Sequence, residues 1–114
     1  MTPTSKYKRI SKETFETSVI AEQKPSLLLF GAKWSGKAEL MDNMVSRISG
    51  EFNHGIHFFK VDVEEQSEIS KFFQVNSVPT ILLIKDGEVQ DFIKGLISAH
   101  KLRSKINTVF LIKE

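Results

Sequence analysis

The spacing of apolar residues changes several times along the chain, and each spacing predicts a different element of secondary structure. Leu27–Phe30 is an apolar run without polar alternation, which is typical of a central strand covered on both faces, and Ile56–Val63 is interpreted as a second such strand. Thr80–Ile84 and Val89–Phe92 are joined by Lys85–Glu88, whose Asp-Gly pair is a strong signal for a hairpin turn. These runs predict a sheet that ends in a hairpin.

Helical spacing predicts helices between and around these strands. Ser11 is a suitable N-cap for a short helix to about Glu22, and an amphipathic helix follows the turn at Ser35 and extends to about residue 52. Ser67 caps a short third helix, and the last helix begins at Ser98 or at the next residue. The apolar positions expected on buried faces are Phe15, Val19, Ile20, Met41, Met44, Val45, Ile48, Phe52, Ile69, Phe72, Phe73, Leu102, Ile106, Val109 and Phe110. The positions of the second helix expected to face solvent are Asp42, Asn43, Ser46 and Arg47.

The order of the predicted elements indicates an α/β fold. It runs α, β, α, β, α, β, β, α, with a small additional strand near Tyr7–Ile10. Helices that connect parallel strands, followed by a hairpin, predict a mixed sheet sandwiched by helices. A chain of 114 residues forms one domain, residues 1–114, in which residues 1–9 are a candidate flexible N-terminal segment.

Composition narrows the range of functions. A formal net charge of +2 is too small to argue for binding to nucleic acid or to an anionic membrane, and no apolar run approaches the length of a membrane span. The chain contains no cysteine, which excludes any thiol chemistry of its own and fits a cytoplasmic protein. We therefore expect a cytoplasmic protein that binds neither nucleic acid nor membrane.

Five short segments together make the chain resemble the thioredoxin family over roughly residues 10–110. They are Phe30–Gly36, Lys60–Val63, Val75–Thr80, Lys85–Glu88 and Gly95. The resemblance implies a thioredoxin fold, with a central mixed β-sheet flanked by helices on both faces. It also implies a cis peptide bond before Pro79, where the chain turns its backbone toward an incoming peptide.

The chain departs from the family at the positions that carry redox chemistry. Trp34-Ser35-Gly36-Lys37-Ala38 stands where a thioredoxin has Trp-Cys-Gly-Pro-Cys, so a serine and an alanine replace the two thiols. A serine hydroxyl does not exchange with a disulfide. The resemblance thus implies a redox-inactive protein that is not an enzyme; the alternative is an engineered or degenerate form of a thioredoxin-type disulfide oxidoreductase.

Two further positions of the family pattern also differ. The family's buried acid aligns with Leu29, so Lys60, which matches a family lysine near that acid, is expected to reach solvent or to pair with a different carboxylate. Asn43 occupies the site of a helix-kinking proline, which predicts a straighter helix. Loss of the thiols and of the acid together favours a natural, repurposed loop over a laboratory variant.

Other chemistries at this loop receive little support. Residues 31–38 have the G-x-x-x-x-G-K spacing of a phosphate-binding loop. However, Ala38 stands where a Ser or Thr would hold magnesium, and the bulky Trp34 would occupy the space for the phosphates. Ser35 lacks a nearby base in the predicted topology and is better explained as a helix N-cap. His54 and His57 lack thiols or carboxylates to complete a metal shell. We expect no metal and no cofactor.

The remaining candidate function is binding of a peptide. In a thioredoxin arrangement, several residues around the former active-site loop would form a shallow apolar groove that docks an extended peptide of an unidentified protein. These residues are Trp34, Val78, Pro79, Thr80, Gly95 and Leu96. Two alternatives stay open: the residues serve only the fold, or the chain self-associates through a sheet edge or the tail Phe110–Ile112. A monomer is favoured over a weak homodimer.

Overall fold

A computed structural model describes residues 7–52 and 55–110, and His54 and the tail residues 111–112 lie outside this range. The strands are β1 (Tyr7–Arg9), β2 (Ser26–Gly31), β3 (His57–Asp62), β4 (Thr80–Lys85) and β5 (Glu88–Lys94). The helices are α1 (Lys12–Thr14), which continues as a π-helix over Phe15–Ala21, then α2 (Gly36–Ser49), α3 (Ser67–Phe72) and α4 (Ala99–Phe110). None of the helices in the described part of the chain is both long and apolar enough to cross a membrane.

The strands form one mixed sheet in the order β1-β3-β2-β4-β5. β1, β3 and β2 run parallel to one another, β4 is antiparallel to β2, and β5 is antiparallel to β4. The prediction of a mixed sheet with a terminal hairpin is confirmed. Asp86 and Gly87 both have positive φ angles (55° and 77°), as a tight two-residue hairpin turn requires.

Helices cover both faces of the sheet, because neighbouring residues of each central strand point to opposite sides. Leu27 and Leu29 of β2 pack with residues of α2 and α4, whereas Leu28 and Phe30 pack with residues of the first helix and α3. All residues of β2 are buried. The apolar run that predicted a doubly covered strand thus lies at the centre of the sheet.

Two predicted core residues are exposed instead. Ile20 follows the buried Val19, and consecutive helical residues point in different directions, so only one of the two reaches the core. Phe72 is 63% exposed for the same reason: Phe73 takes the inner position and packs on Phe30 at 6.3 Å between ring centroids. The prediction that Ser67 caps α3 is wrong. Ser67 is the first residue of the helix, and Gln66 occupies the N-cap position without a side-chain hydrogen bond.

The N-terminal segment contains an ordered strand in its last three residues. β1 pairs in parallel with β3, with Tyr7 opposite Phe58 and Arg9 opposite Lys60. Of the candidate flexible segment 1–9, this strand is the part that the structure describes. β1 places Tyr7 beside α2, where its hydroxyl reaches Asp42.

Candidate functional site

Strand register brings three chain segments together at one edge of the sheet. Phe30 of β2 lies opposite Thr80 of β4, and Thr80 lies opposite Lys94 of β5. The loop that leaves β2 toward Trp34, the residues that enter β4, and the residues that leave β5 therefore meet at this edge. Leu96, in the last of these segments, has an exposed side chain.

Ser35 caps helix α2, as predicted. Its Oγ accepts a hydrogen bond from the Ala38 N–H (3.1 Å), and its carbonyl oxygen accepts one from the Glu39 N–H (3.1 Å). Ala38 is buried, and a Cβ added at Gly31 would lie 3.3 Å from the Cβ of Ala38, so small residues let α2 start close to β2. His57 lies opposite Ser26 at the far end of β2, so it is not a base for Ser35.

Val78 and Pro79 form the turn that leads into β4. The peptide bond between them is cis, and Pro79 is buried. The Pro79 carbonyl oxygen accepts a hydrogen bond from the N–H of Gly95 (2.8 Å), whose φ of +79° is accessible mainly to glycine. Two of the predicted groove segments are thereby tied to each other directly.

The prediction that Thr80 lines the groove is wrong. Thr80 is completely buried, because it is the first residue of a central strand, paired on both sides with Phe30 and Lys94. Its Oγ1 donates a hydrogen bond to the carbonyl oxygen of Ser77 (2.8 Å). Thr80 holds the approach to β4 in place and offers no surface to a ligand.

A shallow cavity opens beside the indole of Trp34, and we call it the Trp34 cavity. Its volume is about 280 Å³. Its lining residues are Trp34, Val63, Ser67, Ser70, Lys71, Val75, Asn76, Ser77 and Val78. Trp34 is 70% exposed, and the valines supply an apolar wall. The sequence identified Trp34 and Val78 but missed the contribution of α3 and of the residues after β3.

A second cavity, of about 380 Å³, lies on the other side of the same loop, and we call it the Lys60 cavity. Its lining residues are Arg9, Leu29, Gly31, Ala32, Lys33, Ser35, Ala38, Glu39, Asp42, Lys60 and Asp62. Ser35 and Ala38, at the positions of the family's thiols, therefore belong to this cavity, whereas Trp34 belongs to the other. The two cavities divide the former active-site loop between them.

Asp42 is the central group of the Lys60 cavity and was not expected there. The Tyr7 hydroxyl donates a hydrogen bond to its Oδ1 (2.6 Å), and the Lys60 ammonium donates one to its Oδ2 (3.0 Å). Lys60 lies opposite Leu29 in the sheet and finds its carboxylate on α2, which confirms the predicted alternative of a different acid. Asp42 lies four residues after Ala38, so the two share one face of α2. This spacing could have predicted that Asp42 lies beside the position of the second thiol.

The environment of Tyr7 changes its acidity. Burial raises the pKa of the Tyr7 hydroxyl far above its usual value, and the hydrogen bond and charge of Asp42 raise it further. The hydroxyl therefore stays protonated and remains a donor to Asp42. No buried polar side-chain atom in the described residues lacks a hydrogen-bonding partner.

Neither cavity has the donor set of a metal site. Asp62 accepts hydrogen bonds from the N–H groups of Glu64 (2.9 Å) and Glu65 (3.2 Å), and Glu65 pairs with Arg9. Within residues 7–52 and 55–110, no group of three or more His, Cys, Asp or Glu side chains could hold a metal ion.

Comparison with known proteins gives one consistent family. A family model described as thioredoxin matches residues 6–108. Thioredoxin of Rickettsia bellii is 28% identical over 98 residues, covering 86% of this chain and 93% of its own length. Thioredoxin of Mycobacterium bovis is 32% identical over 80 residues, covering 70% and 69%.

A chloroplast relative and a solved structure extend the comparison. Thioredoxin Y1 of Arabidopsis thaliana is 27% identical over 93% of this chain, and the chain spans 62% of that relative's length. The crystal structure of Malassezia sympodialis thioredoxin (Mala s 13) is similar with a TM-score of 0.78 and 27% identity, covering 95% of this chain and 94% of its own.

Proposed function

The chain belongs to the thioredoxin family and contains no cysteine, and we propose that it is a redox-inactive member that binds an extended segment of another protein without forming a covalent bond. The binding surface in this proposal is the Trp34 cavity with the adjoining turn at Val78. A protein that keeps this surface but lacks both thiols retains a means of holding a peptide without a means of reducing one.

Thiol–disulfide exchange needs a thiolate that attacks and a second that resolves the mixed disulfide. Ser35 supplies neither, since its hydroxyl oxygen caps α2, and Ala38 is a buried methyl group packed near Gly31. Any activity of this loop must therefore come from its shape and surface.

The exposed indole of Trp34 is the observation that carries the proposal. An aromatic side chain that is 70% exposed beside an apolar cavity is the usual anchor of a protein interface, because covering it removes a large apolar area from water. Within the described residues, neither the N–H nor the C=O of Val78 has a hydrogen-bonding partner. Both groups are available to pair with the backbone of an extended peptide.

The cavity is small, so the complex is expected to be weak to moderate in affinity. A surface of this kind covers less area than a standard stable interface, and association entropy offsets much of the gain. Micromolar dissociation constants are the natural range for such a contact.

The experiment measures fluorescence polarisation of labelled pools of short peptides, each with a variable apolar residue at its centre. We expect Trp34→Ala to weaken binding by about tenfold or more, which corresponds to about 1.4 kcal/mol. Leu40→Ala is the matched control, since Leu40 is a similarly exposed apolar residue of α2 that lines neither cavity. Equal affinities of wild type and Trp34→Ala would remove the Trp34 cavity as the binding surface.

The alternative function is disulfide reduction, which is the activity expected from membership of the thioredoxin family. We expect the rate of insulin disulfide reduction by a chemical reductant to be the same with and without this protein. A rate that rises in proportion to the protein concentration would show catalysis by a route that needs no thiol of the chain, and it would overturn the proposal.

A further inference from the structure

We propose that the peptide held at the Trp34 cavity is acidic, with carboxylate side chains on both sides of the apolar residue that enters the cavity. This inference rests on the proposed function and adds the charge of the partner to it. It follows from the distribution of charged groups around Trp34.

One lysine lines the Trp34 cavity, and two others lie close to Trp34 in the sequence. Lys71 of α3 lines the cavity itself, Lys37 lies in the first turn of α2, and Lys33, which directly precedes Trp34, lines the Lys60 cavity. All three are exposed, and in the described part of the chain none of them takes part in an ion pair. Lys71 is the single charged residue among those that line the cavity.

The acidic residues that lie near Trp34 and Lys71 in the sequence do not line the Trp34 cavity. Glu39 lines the Lys60 cavity, whereas Glu68 lies 4.0 Å from Lys12 and Glu65 pairs with Arg9. Glu64, next to Val63, does not line the Trp34 cavity. The charge of Lys71 is therefore not cancelled by a carboxylate that lines the Trp34 cavity.

The N-terminus of α2 adds to this field. The helix has 14 residues, and the hydrogen bonds at its cap use the N–H groups of Ala38 and Glu39. Aligned peptide dipoles place partial positive charge at this end, beside Trp34. The helix end and the lysines thus favour the same sign of partner.

The lysines come from two elements, the loop with α2 and helix α3. In an extended peptide, side chains on one face recur at every second residue, about 6.6 Å apart. When an apolar residue occupies the cavity, the residues that flank it on the same face lie close to the long, flexible side chain of Lys71, which lines the cavity. Acidic residues at these flanks gain attraction, and basic residues meet repulsion.

Another exposed aromatic residue, Phe72, has different surroundings. It borders a separate cavity of about 270 Å³ whose lining includes three glutamates and one lysine, Glu16, Glu65, Glu68 and Lys12. Acidic residues outnumber basic ones in that lining, whereas Lys71 is the single charged residue that lines the Trp34 cavity. An acidic peptide is directed to Trp34 and away from Phe72.

The test compares three labelled peptide pools that share length and a central Leu, Ile, Val or Phe but differ in their flanking residues: Glu, Ser or Lys. We expect the Glu pool to bind about tenfold more tightly than the Ser pool at low ionic strength, with the Lys pool weakest. Salt should reduce the advantage of the Glu pool, since exposed charges are screened beyond about 10 Å at 0.1 M.

Two charge-removing variants and a control assign the effect to the cavity. Lys37→Gln and Lys71→Gln should each reduce several-fold the ratio of Glu-pool affinity to Ser-pool affinity. Lys101→Gln, which changes an exposed lysine of α4, is the control and should leave that ratio unchanged.

Equal binding of the Glu and Ser pools, or no effect of Lys37→Gln and Lys71→Gln, would overturn the acidic preference and leave the proposed function standing. Tighter binding of the Lys pool would overturn the preference as well. No binding of any pool would overturn the proposed function together with this inference.

Discussion

The two cavities that share the former active-site loop differ in how their polar groups are used. In the Lys60 cavity, Tyr7, Asp42 and Lys60 satisfy one another through hydrogen bonds of 2.6 and 3.0 Å. In the Trp34 cavity, an indole is left uncovered, and Lys71 has no ion-pair partner among the described residues. The Tyr7–Asp42–Lys60 cluster beside the first cavity stabilises the fold, and the second cavity presents an exposed aromatic side chain.

The same division separates the residues of the loop. Ser35 and Ala38 line the Lys60 cavity, and Trp34 lines the other. The residues that replace the thiols thus sit on the internally satisfied side, where Ser35 serves as the cap of α2. The exposed side keeps its aromatic residue and its apolar wall. In the proposed function, peptide binding uses the Trp34 side of the loop, whereas the residues at the family's thiol positions line the Lys60 cavity.

The largest effect on stability is expected from Asp42→Ala. Removing this carboxylate leaves the Tyr7 hydroxyl and the Lys60 ammonium without the partner they share, and we expect a loss of about 2 kcal/mol in the free energy of unfolding. Urea denaturation measures the change. The matched control is Asp91→Ala, because Asp91 has a similarly exposed side chain (28% against 26%) and also pairs with a lysine at 3.0 Å. Equal losses in the two variants would contradict a special role for the Tyr7–Asp42–Lys60 cluster.

A pH-dependent loss of stability is expected from Tyr7. Because burial, and then the hydrogen bond to Asp42, raises the pKa of its hydroxyl, folding favours the protonated form. This contribution is fully present below the unfolded pKa of about 10 and is lost at about 1.4 kcal/mol per pH unit above it. Tyr7→Phe should abolish that slope.

The ionisation of Tyr7 can also be observed directly. Tyr7 is the one tyrosine of the sequence, so the ultraviolet absorbance of tyrosinate reports it alone. We expect the absorbance to rise only in the pH range where the protein unfolds. A titration near pH 10 in the folded protein would show that the hydroxyl is neither buried nor held by Asp42.

A much smaller change in stability is expected on the other side of the loop. Trp34→Ala removes an exposed side chain, so we expect the free energy of unfolding to change by less than about 0.5 kcal/mol. The measurement is the same urea denaturation, with Leu40→Ala as the companion variant. A loss comparable to that of Asp42→Ala would mean that Trp34 supports the fold, and the contrast between the cavities would fail.

The smallest effect is expected at a surface pair that belongs to neither cavity. Arg103 donates two hydrogen bonds to Glu51 (2.6 and 2.8 Å), and these lower the pKa of the Glu51 carboxyl. A lowered pKa stabilises the fold above the unfolded value of about 4.3, and this contribution disappears as the pH falls through the folded value. Glu51→Gln should therefore slightly reduce stability at neutral pH and have no effect in acid. A difference that persists in acid would point to packing instead of charge.

The fold was predictable because its main signals are local. The unbroken apolar run of β2, the Asp86-Gly87 turn and the N-cap at Ser35 each specify their element without reference to distant residues. The exposure of Phe72 was not predictable from spacing, since two consecutive aromatic residues compete for one inward position.

The site was predictable only in part, because cavities are assembled from distant segments. Trp34 and Val78 were identified from the family pattern and line the same cavity, whereas Thr80 is buried by strand pairing on both sides. Asp42 was expected in solvent, and its role depends on Tyr7, 35 residues away, and on Lys60, 18 residues away. Such contacts follow from the register of β1 and β3, which the sequence pattern does not specify.

NMR amide shifts, recorded while a Glu-flanked peptide is added to the wild-type protein, test most directly which cavity is the binding surface. We expect the largest changes at Trp34, Ser70, Lys71 and Val78, with small changes at Lys60. Shifts concentrated at Asp42 and Lys60, with none at Trp34, would contradict the assignment of peptide binding to the Trp34 cavity.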